Sequence, residues 1–262
     1  LDSEPGSILV LQDVTEAHAQ QEQLNRQQRL AAMGEMAASL AHQIRTPLTA
    51  AVLYGTHLAK DHLPAGERAR FASRLGERLK HLERLVNDML AFARGGRGGA
   101  DCFTVQELLG DLHASVEAQL QAAGAQWRID NDAAELPLLG NKDALVSALG
   151  NLVANSLQAM PQAAVLQIQA RTAGDGCIEL RLRDNGPGIP ADVRAHVFDP
   201  FFTTRPGGTG LGLAVVQATV RAHRGTVHIE SPMGGGSEFV LQLPTAVSVA
   251  ELPGGECLNY LS

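Results

Sequence analysis

Ser39-Leu40-Ala41-His42-Gln43-Ile44-Arg45-Thr46-Pro47-Leu48 lies inside a long helical pattern and decides how the first part of the chain folds. Apolar residues recur around it at Leu30, Met33, Ala37, Leu40, Ile44, Leu48 and Ala51, and steps of three and four residues mark one buried helix face. His42 stands two residues from both Leu40 and Ile44. At about 100° per residue it points well away from that stripe. A helical histidine aimed at solvent is a nucleophile available to a visiting group. The competing reading is a surface histidine with no role, and the rest of the chain decides between them. Pro47 removes a backbone donor and its ring clashes with the carbonyl of Gln43, so a bend or loosened turn is expected beside His42. The apolar pattern continues through Val52 and Leu53, so the helix is not expected to stop there.

Asp61-His62-Leu63-Pro64-Ala65-Gly66 reads as a turn, and a second helix follows with Phe71, Leu75, Leu79, Leu82, Val86, Met89 and Ala93. After Phe71 these steps alternate between four and three, which is a coiled-coil seam. Two helices joined by a short turn make an antiparallel hairpin, but one hairpin encloses no core. Two hairpins do, so the pattern predicts a homodimeric four-helix bundle.

With 262 residues the chain suggests two domains, or one domain with a helical appendage. It is 45% hydrophobic and 19% charged, enough to build a core, while only 4% is aromatic, so that core must rest on aliphatic residues. The formal net charge of −7 carries no basic nucleic-acid footprint. Cys102, Cys177 and Cys257 are far apart, show no metal-ligand spacing and fit a reducing compartment. No apolar run approaches the roughly 18 residues that span a bilayer, and no signal peptide is visible. The chain begins at Leu1 and reads as part of a longer protein. Residues 6–11 resemble one short strand, the last of something upstream, before a helix start that Asp13 or Thr15 can cap.

Arg94-Gly95-Gly96-Arg97-Gly98-Gly99 breaks the helical pattern and reads as a hinge. Beyond it, helices are expected near Val105–Ala122, Lys142–Met160 and Leu213–His223. Strands are expected near Trp127–Ile129, Val165–Ala170, Cys177–Leu182, Thr226–Ile229 and Glu238–Leu243. They mix without strict βαβ alternation, which predicts an α+β sandwich.

Four segments of this second half place polar or glycine residues where a plain core would not. Asn151 and Asn155 are one helical turn apart, and two amide oxygens on one face can ligate a hard cation such as Mg²⁺. Plain surface asparagines would look the same. Asp184-Asn185-Gly186-Pro187-Gly188 follows a strand; Asp184 can accept from an exocyclic amine, and Gly186 and Gly188 let backbone approach a ligand, although the segment also suits an ordinary turn. Phe198-Asp199-Pro200-Phe201-Phe202-Thr203-Thr204-Arg205 sets an apolar latch and a fixed cation in a polar loop that can close as a lid. Gly208-Thr209-Gly210-Leu211-Gly212 leads into a helix, and glycine-rich backbone before a helix N-terminus is a ready phosphate site.

Taken together and in this order, the segments resemble a sensor histidine kinase of a two-component system. Residues 39–48 resemble the family's H-box, 151–159 its N-box, 184–188 and 208–212 its two glycine boxes, and 198–205 its F-box; Gly234-Gly235-Gly236-Ser237 resembles the closing glycine turn. The likeness covers roughly residues 24–244 and is more specific than any single motif. The wording around Ala31–Ala37 is similar to soluble PAS-linked kinases of flagellar and nitrogen control, and the start looks like the exit of a PAS sensor domain.

The resemblance implies an α+β multidomain chain: a helical hairpin forming a dimeric four-helix bundle, then an α/β sandwich of Bergerat ATP-binding type. The implied divisions are a PAS-like remnant at 1–15, a connecting helix at 16–29, a phosphotransfer hairpin at 30–94, a hinge at 95–100, an ATP-binding domain at 101–245 and a tail at 246–262. It implies that His42 attacks the γ-phosphate of ATP and passes the phosphoryl group to an aspartate on a response-regulator receiver domain. Positioning and Mg²⁺ electrostatics supply most of such catalysis. Asn155 and Asn151 would hold Mg²⁺, Asp184 would read adenine, and Gly186, Gly188, Arg205, Gly208, Thr209, Gly210, Leu211 and Gly212 would surround the nucleotide. Gyrase-like ATPases carry a water-activating glutamate where this chain has Asn151, so poor hydrolysis on its own is expected. Gln43 departs from the family's usual Glu or Asp. Glutamine can orient an imidazole but is no base, which implies autophosphorylation slower by about 10²-fold. Thr46 matches the position that places water for dephosphorylating the regulator. The expected setting is cytoplasmic, with no nucleic acid and no membrane contact in this stretch. Two other readings stay open: a gyrase-like or chaperone-like ATPase, and a silent scaffold that holds a regulator.

Overall fold

The computed structural model describes residues 37–60, 62–94, 101–160, 162–174, 176–205, 208–232 and 235–246, together with the helical positions 20, 23, 24, 27, 31 and 34. The expected upstream strand, most of the connecting helix, the glycine hinge and the tail beyond residue 246 lie outside the described residues. No helix among the described residues is long and apolar enough to cross a membrane.

Helix α1 runs Ala37–Leu58 and α2 runs Ala65–Arg94, and the two pack along each other as the predicted hairpin. The connection falls between Leu58 and Ala65, two residues earlier than the expected Asp61–Gly66. Phe71 stacks on His57 with ring centroids 4.8 Å apart and tilts against Tyr54 at 6.0 Å, which pins the turn end. Helix α1 passes through Pro47 without a break, as the apolar pattern continuing through Val52 and Leu53 predicts. Proline cannot donate to the Gln43 carbonyl, so the cost is one missing bond, and the Thr46 hydroxyl donates to the His42 carbonyl next to the gap at 3.1 Å.

The buried stripe of α1 is Leu40, Pro47 and Ala51 with Ile44 half-buried, whereas Leu48 is 48% exposed. Helix α2 carries a second apolar stripe beside its expected seam. Leu79, Val86 and Leu90 are exposed, and Leu85 and Phe92, outside that seam, are buried. At about 100° per residue the two sets sit roughly a third of a turn apart, so α2 carries two apolar stripes.

The second half is a two-layer sandwich. Strands β2 (Gln126–Asn131), β4 (Val165–Ala173), β5 (Cys177–Asp184), β6 (Thr226–Glu230) and β7 (Glu238–Pro244) form one sheet in the order β2-β4-β5-β7-β6. Only β2 and β4 are parallel, with Gln126 opposite Val165; the other pairs are antiparallel. Period-two alternation points Leu166, Ile168, Ala170, Ile178, Leu180 and Leu182 into the core. Helices α3 (Val105–Ala123), α4 (Lys142–Ala159) and α6 (Gly212–Ala222) contribute the opposing buried residues, among them Leu108, Leu112, Leu149, Leu152 and Val216. The other sheet face is polar. There Arg181 bonds Glu179, Glu230 and Glu238 at 2.6–3.0 Å, and these carboxylates raise its already high pKa.

A short antiparallel pair, β1 (Asp101–Thr104) with β3 (Pro137–Gly140), and the single turn α5 (Ala191–Arg194) were not expected. Four-residue strands carry too little alternation to read. Thr104 also closes a capping box with Glu107: its hydroxyl accepts from the Glu107 amide at 3.1 Å and its own amide donates to the Glu107 carboxylate at 2.8 Å.

One histidine ties two of the site's helices together. His223 Nε2 accepts from the Asn141 amide at 3.0 Å, which requires the proton on Nδ1, where it donates to the Thr219 carbonyl at 2.7 Å. Asn141 is the N-cap of α4 and accepts from the Ala144 amide at 2.9 Å. Burial, first among the causes, pushes the His223 pKa below 6.5. Protonated Nε2 would face an amide proton, so the folded state favours neutral imidazole. Its stabilisation is fully present above about pH 6.5 and is lost as pH falls from there through the lower folded pKa. We expect the thermal midpoint of the wild-type chain to drop more steeply between about pH 7 and 5 than that of His223→Gln. Parallel curves would remove His223 as the cause.

Candidate functional site

Asp184, the last residue of β5, is buried and fully engaged on the protein side. Its Oδ1 accepts from the Gly186 amide at 2.9 Å and the Ser237 amide at 3.0 Å, and its Oδ2 accepts from the Ser156 hydroxyl at 3.0 Å. A carboxylate offers about four acceptor positions, so three donors leave about one for a ligand. Asp184 is already held by the protein, and its aim is fixed. Gly236, at φ 90°, lets the closing turn come this close, because a Cβ there would collide with the Asp184 carbonyl oxygen. Ser156 escaped the sequence reading. Its signal was a serine on the buried stripe of α4, one position beyond Asn155.

Asn151 and Asn155 are half-buried on α4 and face the start of α6, as their spacing predicted. A Cβ at Gly212 would lie 3.8 Å from Asn155 Nδ2 and 3.9 Å from Asn151 Cγ. The amides and the glycine loop therefore share one space. Helix α6 has no side-chain N-cap, so its first-turn N–H groups are not taken by a cap there. Gly210, at φ 65°, is pressed against the Phe201 backbone, where a Cβ would collide, and the Phe201 amide donates to the Gly210 carbonyl at 2.8 Å. Phe201 itself sits at φ 67°, an unusual conformation for a bulky residue that this pairing imposes. Arg205 is exposed, and its guanidinium bonds Gln158 Oε1 at 3.2 Å and the Asn155 carbonyl at 3.1 Å. It is anchored on the end of α4. Gly186 packs beside Met160, and Gly188, at φ 79°, lies against Gly236. Gly208 follows the Thr203–Arg205 turn.

His42 is exposed on α1, on the side away from Leu40 and Ala51. The structure holds no hydrogen bond from Gln43 to its ring; Gln43 Oε1 is buried without a partner among the described residues. The expected orienting role of Gln43 is absent in this arrangement because the amide turns inward.

The sandwich rests directly on the hairpin. Leu85 and Phe92 of α2 pack with Leu211, Ala214 and Val215 of α6, flanked by Ile44, Met89, Ala91 and Phe201. The expected latch residue Phe201 thus closes against this contact. In its midst Asp88 accepts a hydrogen bond from the Thr209 hydroxyl at 3.3 Å, and the Asn151 side chain lies nearby. Burial lifts the Asp88 pKa above the usual carboxylate range, offset in part by Thr209, Asn151 and Arg84. The sequence offered one sign of this residue: an acid among Leu85, Met89 and Phe92 on one helix face.

Residues 32–98 match the His Kinase A (phospho-acceptor) domain, and residues 140–247 match the histidine kinase-, DNA gyrase B- and HSP90-like ATPase family. The chain belongs to the sensor histidine kinases. It is 44% identical over 244 residues to the sensor protein kinase FleS of Pseudomonas aeruginosa, covering 93% of this chain and 60% of that protein. It is 31% identical over 228 residues to the sensor histidine kinase ZraS of Escherichia coli strain K12, covering 87% and 49%. The chain therefore spans only part of the length of these relatives. Among solved structures, histidine kinase ThkA in complex with response regulator protein TrrA matches with a TM-score of 0.71 at 25% identity, over 89% of this chain and 68% of that one. Full-length ShkA in complex with AMPPNP matches with a TM-score of 0.59 at 28% identity, over 80% and 46%.

Proposed function

We propose that this chain is the cytoplasmic catalytic core of a sensor histidine kinase. It transfers the γ-phosphoryl group of ATP to His42 and then to an aspartate of a response regulator. The observation that carries the reading is the Asn151–Asn155 face of α4 set against the glycine loop at Gly212, with Asp184 held by Ser156 at the next position of that helix, in a sandwich seated on the helix pair that exposes His42. The divisions follow: a phosphoacceptor hairpin at 30–94 and an ATP-binding domain at 101–245, joined by the hinge at 95–100, with 1–15, 16–29 and 246–262 as remnant, connector and tail. The matches to a kinase holding AMPPNP and to one bound to a response regulator support ATP as substrate and a receiver domain as partner.

In this reading Asp184 takes the adenine amine on its remaining lone pair. Gly186 and Gly188 border the base. Gly208, Thr209, Gly210, Leu211 and Gly212 present backbone N–H groups to the phosphates at the start of α6, with Arg205 at the rim. No cluster of three or more His, Cys, Asp or Glu among the described residues suits a metal ion. Asn151 and Asn155 still fit Mg²⁺, because neutral amide oxygens complete a shell that phosphates and water mostly fill. When bound, Mg²⁺ would neutralise phosphate charge. His42 supplies the nucleophilic nitrogen, and Thr46 is the residue for placing water against a phosphorylated regulator. Homodimerisation through the hairpin would cover Leu48, Val52, Leu79, Val86 and Leu90, which are exposed in the single chain.

The test is incubation with γ-labelled ATP and Mg²⁺, then a chase with receiver domains. Acid-labile label on the chain that moves to a receiver is expected. Steady phosphate release with no label would instead support the ATPase reading. Asn155→Ala is expected to lower Mg-ATP affinity at least tenfold while the thermal midpoint holds, since a half-buried asparagine contributes about 1 kcal/mol or less to folding. Unchanged affinity by calorimetry would remove Asn155 from the site.

A further inference from the structure

We propose that Asp88 is an internal rival of the nucleotide phosphates: its carboxylate takes the Thr209 hydroxyl, so nucleotide binding and seating of the sandwich on α2 oppose each other. The inference rests on the nucleotide reading of the site.

The donors are limited. Thr209 has one hydroxyl proton, and its lone pair already accepts from the Leu211 amide at 3.2 Å, which leaves the proton for Asp88 at 3.3 Å. A phosphate oxygen that takes this proton removes it from Asp88. Two anions, a carboxylate and a polyphosphate, also repel each other across so short a gap.

The apolar surround makes the competition consequential. Asp88 sits among Leu85, Met89 and Phe92, packed against Leu211, Ala214 and Val215. The positive charge of Arg84 favours its ionised form. Losing the Thr209 proton would leave a half-buried carboxylate in this apolar contact without its hydroxyl donor, which weakens the seating. Asp88 therefore acts as a release device: nucleotide that seats on the glycine loop loosens the sandwich from the hairpin. Linkage makes the effect reciprocal, so seating lowers nucleotide affinity by the same factor.

The test uses the full chain as wild type, Asp88→Ala and Asp88→Asn. Affinity for AMPPNP with Mg²⁺ is measured by calorimetry, and amide exchange is followed at residues 208–215. Both variants are expected to bind the analogue more tightly, Asp88→Ala by about fivefold or more. Exchange at residues 208–215 without nucleotide should be faster in both. Equal or weaker binding by the folded variants overturns the inference and leaves the nucleotide reading standing. No binding by wild type or variants overturns both. Asp88→Asn keeps the shape of the side chain, so a folding failure of the alanine variant does not decide the matter.

Discussion

A His42→Ala chain should take up no acid-labile phosphate from γ-labelled ATP, while its affinity for the nucleotide stays within about twofold of wild type. His42 is exposed and bonds the site only through the helix that carries it, so its loss removes the acceptor and little else. Exposed helix positions tolerate alanine within about 0.5 kcal/mol, so the thermal midpoint should barely move. Labelling is measured on denaturing gels with acid and base washes, and binding by calorimetry. Label that persists in the variant would place the acceptor elsewhere. Phosphate release that continues undiminished in the variant would restore the hydrolase reading.

Asp184→Asn is expected to keep the fold and lose ATP. An asparagine Oδ1 can still accept from the Gly186 and Ser237 amides, and its Nδ2 can donate to the Ser156 hydroxyl once that hydroxyl turns. The folded network survives. The adenine amine, a donor, then meets an amide donor and no lone pair. Two donors facing each other in a buried site cost about 1–3 kcal/mol, or roughly tenfold to a hundredfold in affinity. Asp184→Ala behaves differently. It strands three buried donors and should unfold the sandwich at much lower temperature. The pair of variants separates recognition from architecture, and an asparagine variant that binds ATP normally would withdraw Asp184 from base recognition.

Much of this was readable from residue order. The long elements announced themselves: the helix at Lys142–Ala159 and the strands beginning at Val165 and Cys177 lie where periodicity put them, because a buried face repeated over many residues leaves an unambiguous mark. Asn151 and Asn155 fell on one face for the same reason. What escaped was of two kinds. Four-residue strands such as Asp101–Thr104 are too short to show a period. Contacts between distant segments leave no local trace: Ser156 with Asp184, Asp88 with Thr209, and Asn141 with His223 are separated by 28, 121 and 82 positions. The stripe of α2 at Leu85 and Phe92 escaped because one heptad pattern describes only one of the two neighbours that helix serves. Leu85 and Phe92 answer to α6, while Leu79 and Val86 do not.

That double duty makes α2 a driveshaft. Its 30 residues form a rod about 45 Å long. One of its stripes grips the sandwich, and the other is left for a second hairpin. A stiff rod cannot turn one face without turning the other. Torque applied at the proposed seam would therefore arrive at Asp88 and the glycine loop as a change in grip, with no need for any side chain between them to move.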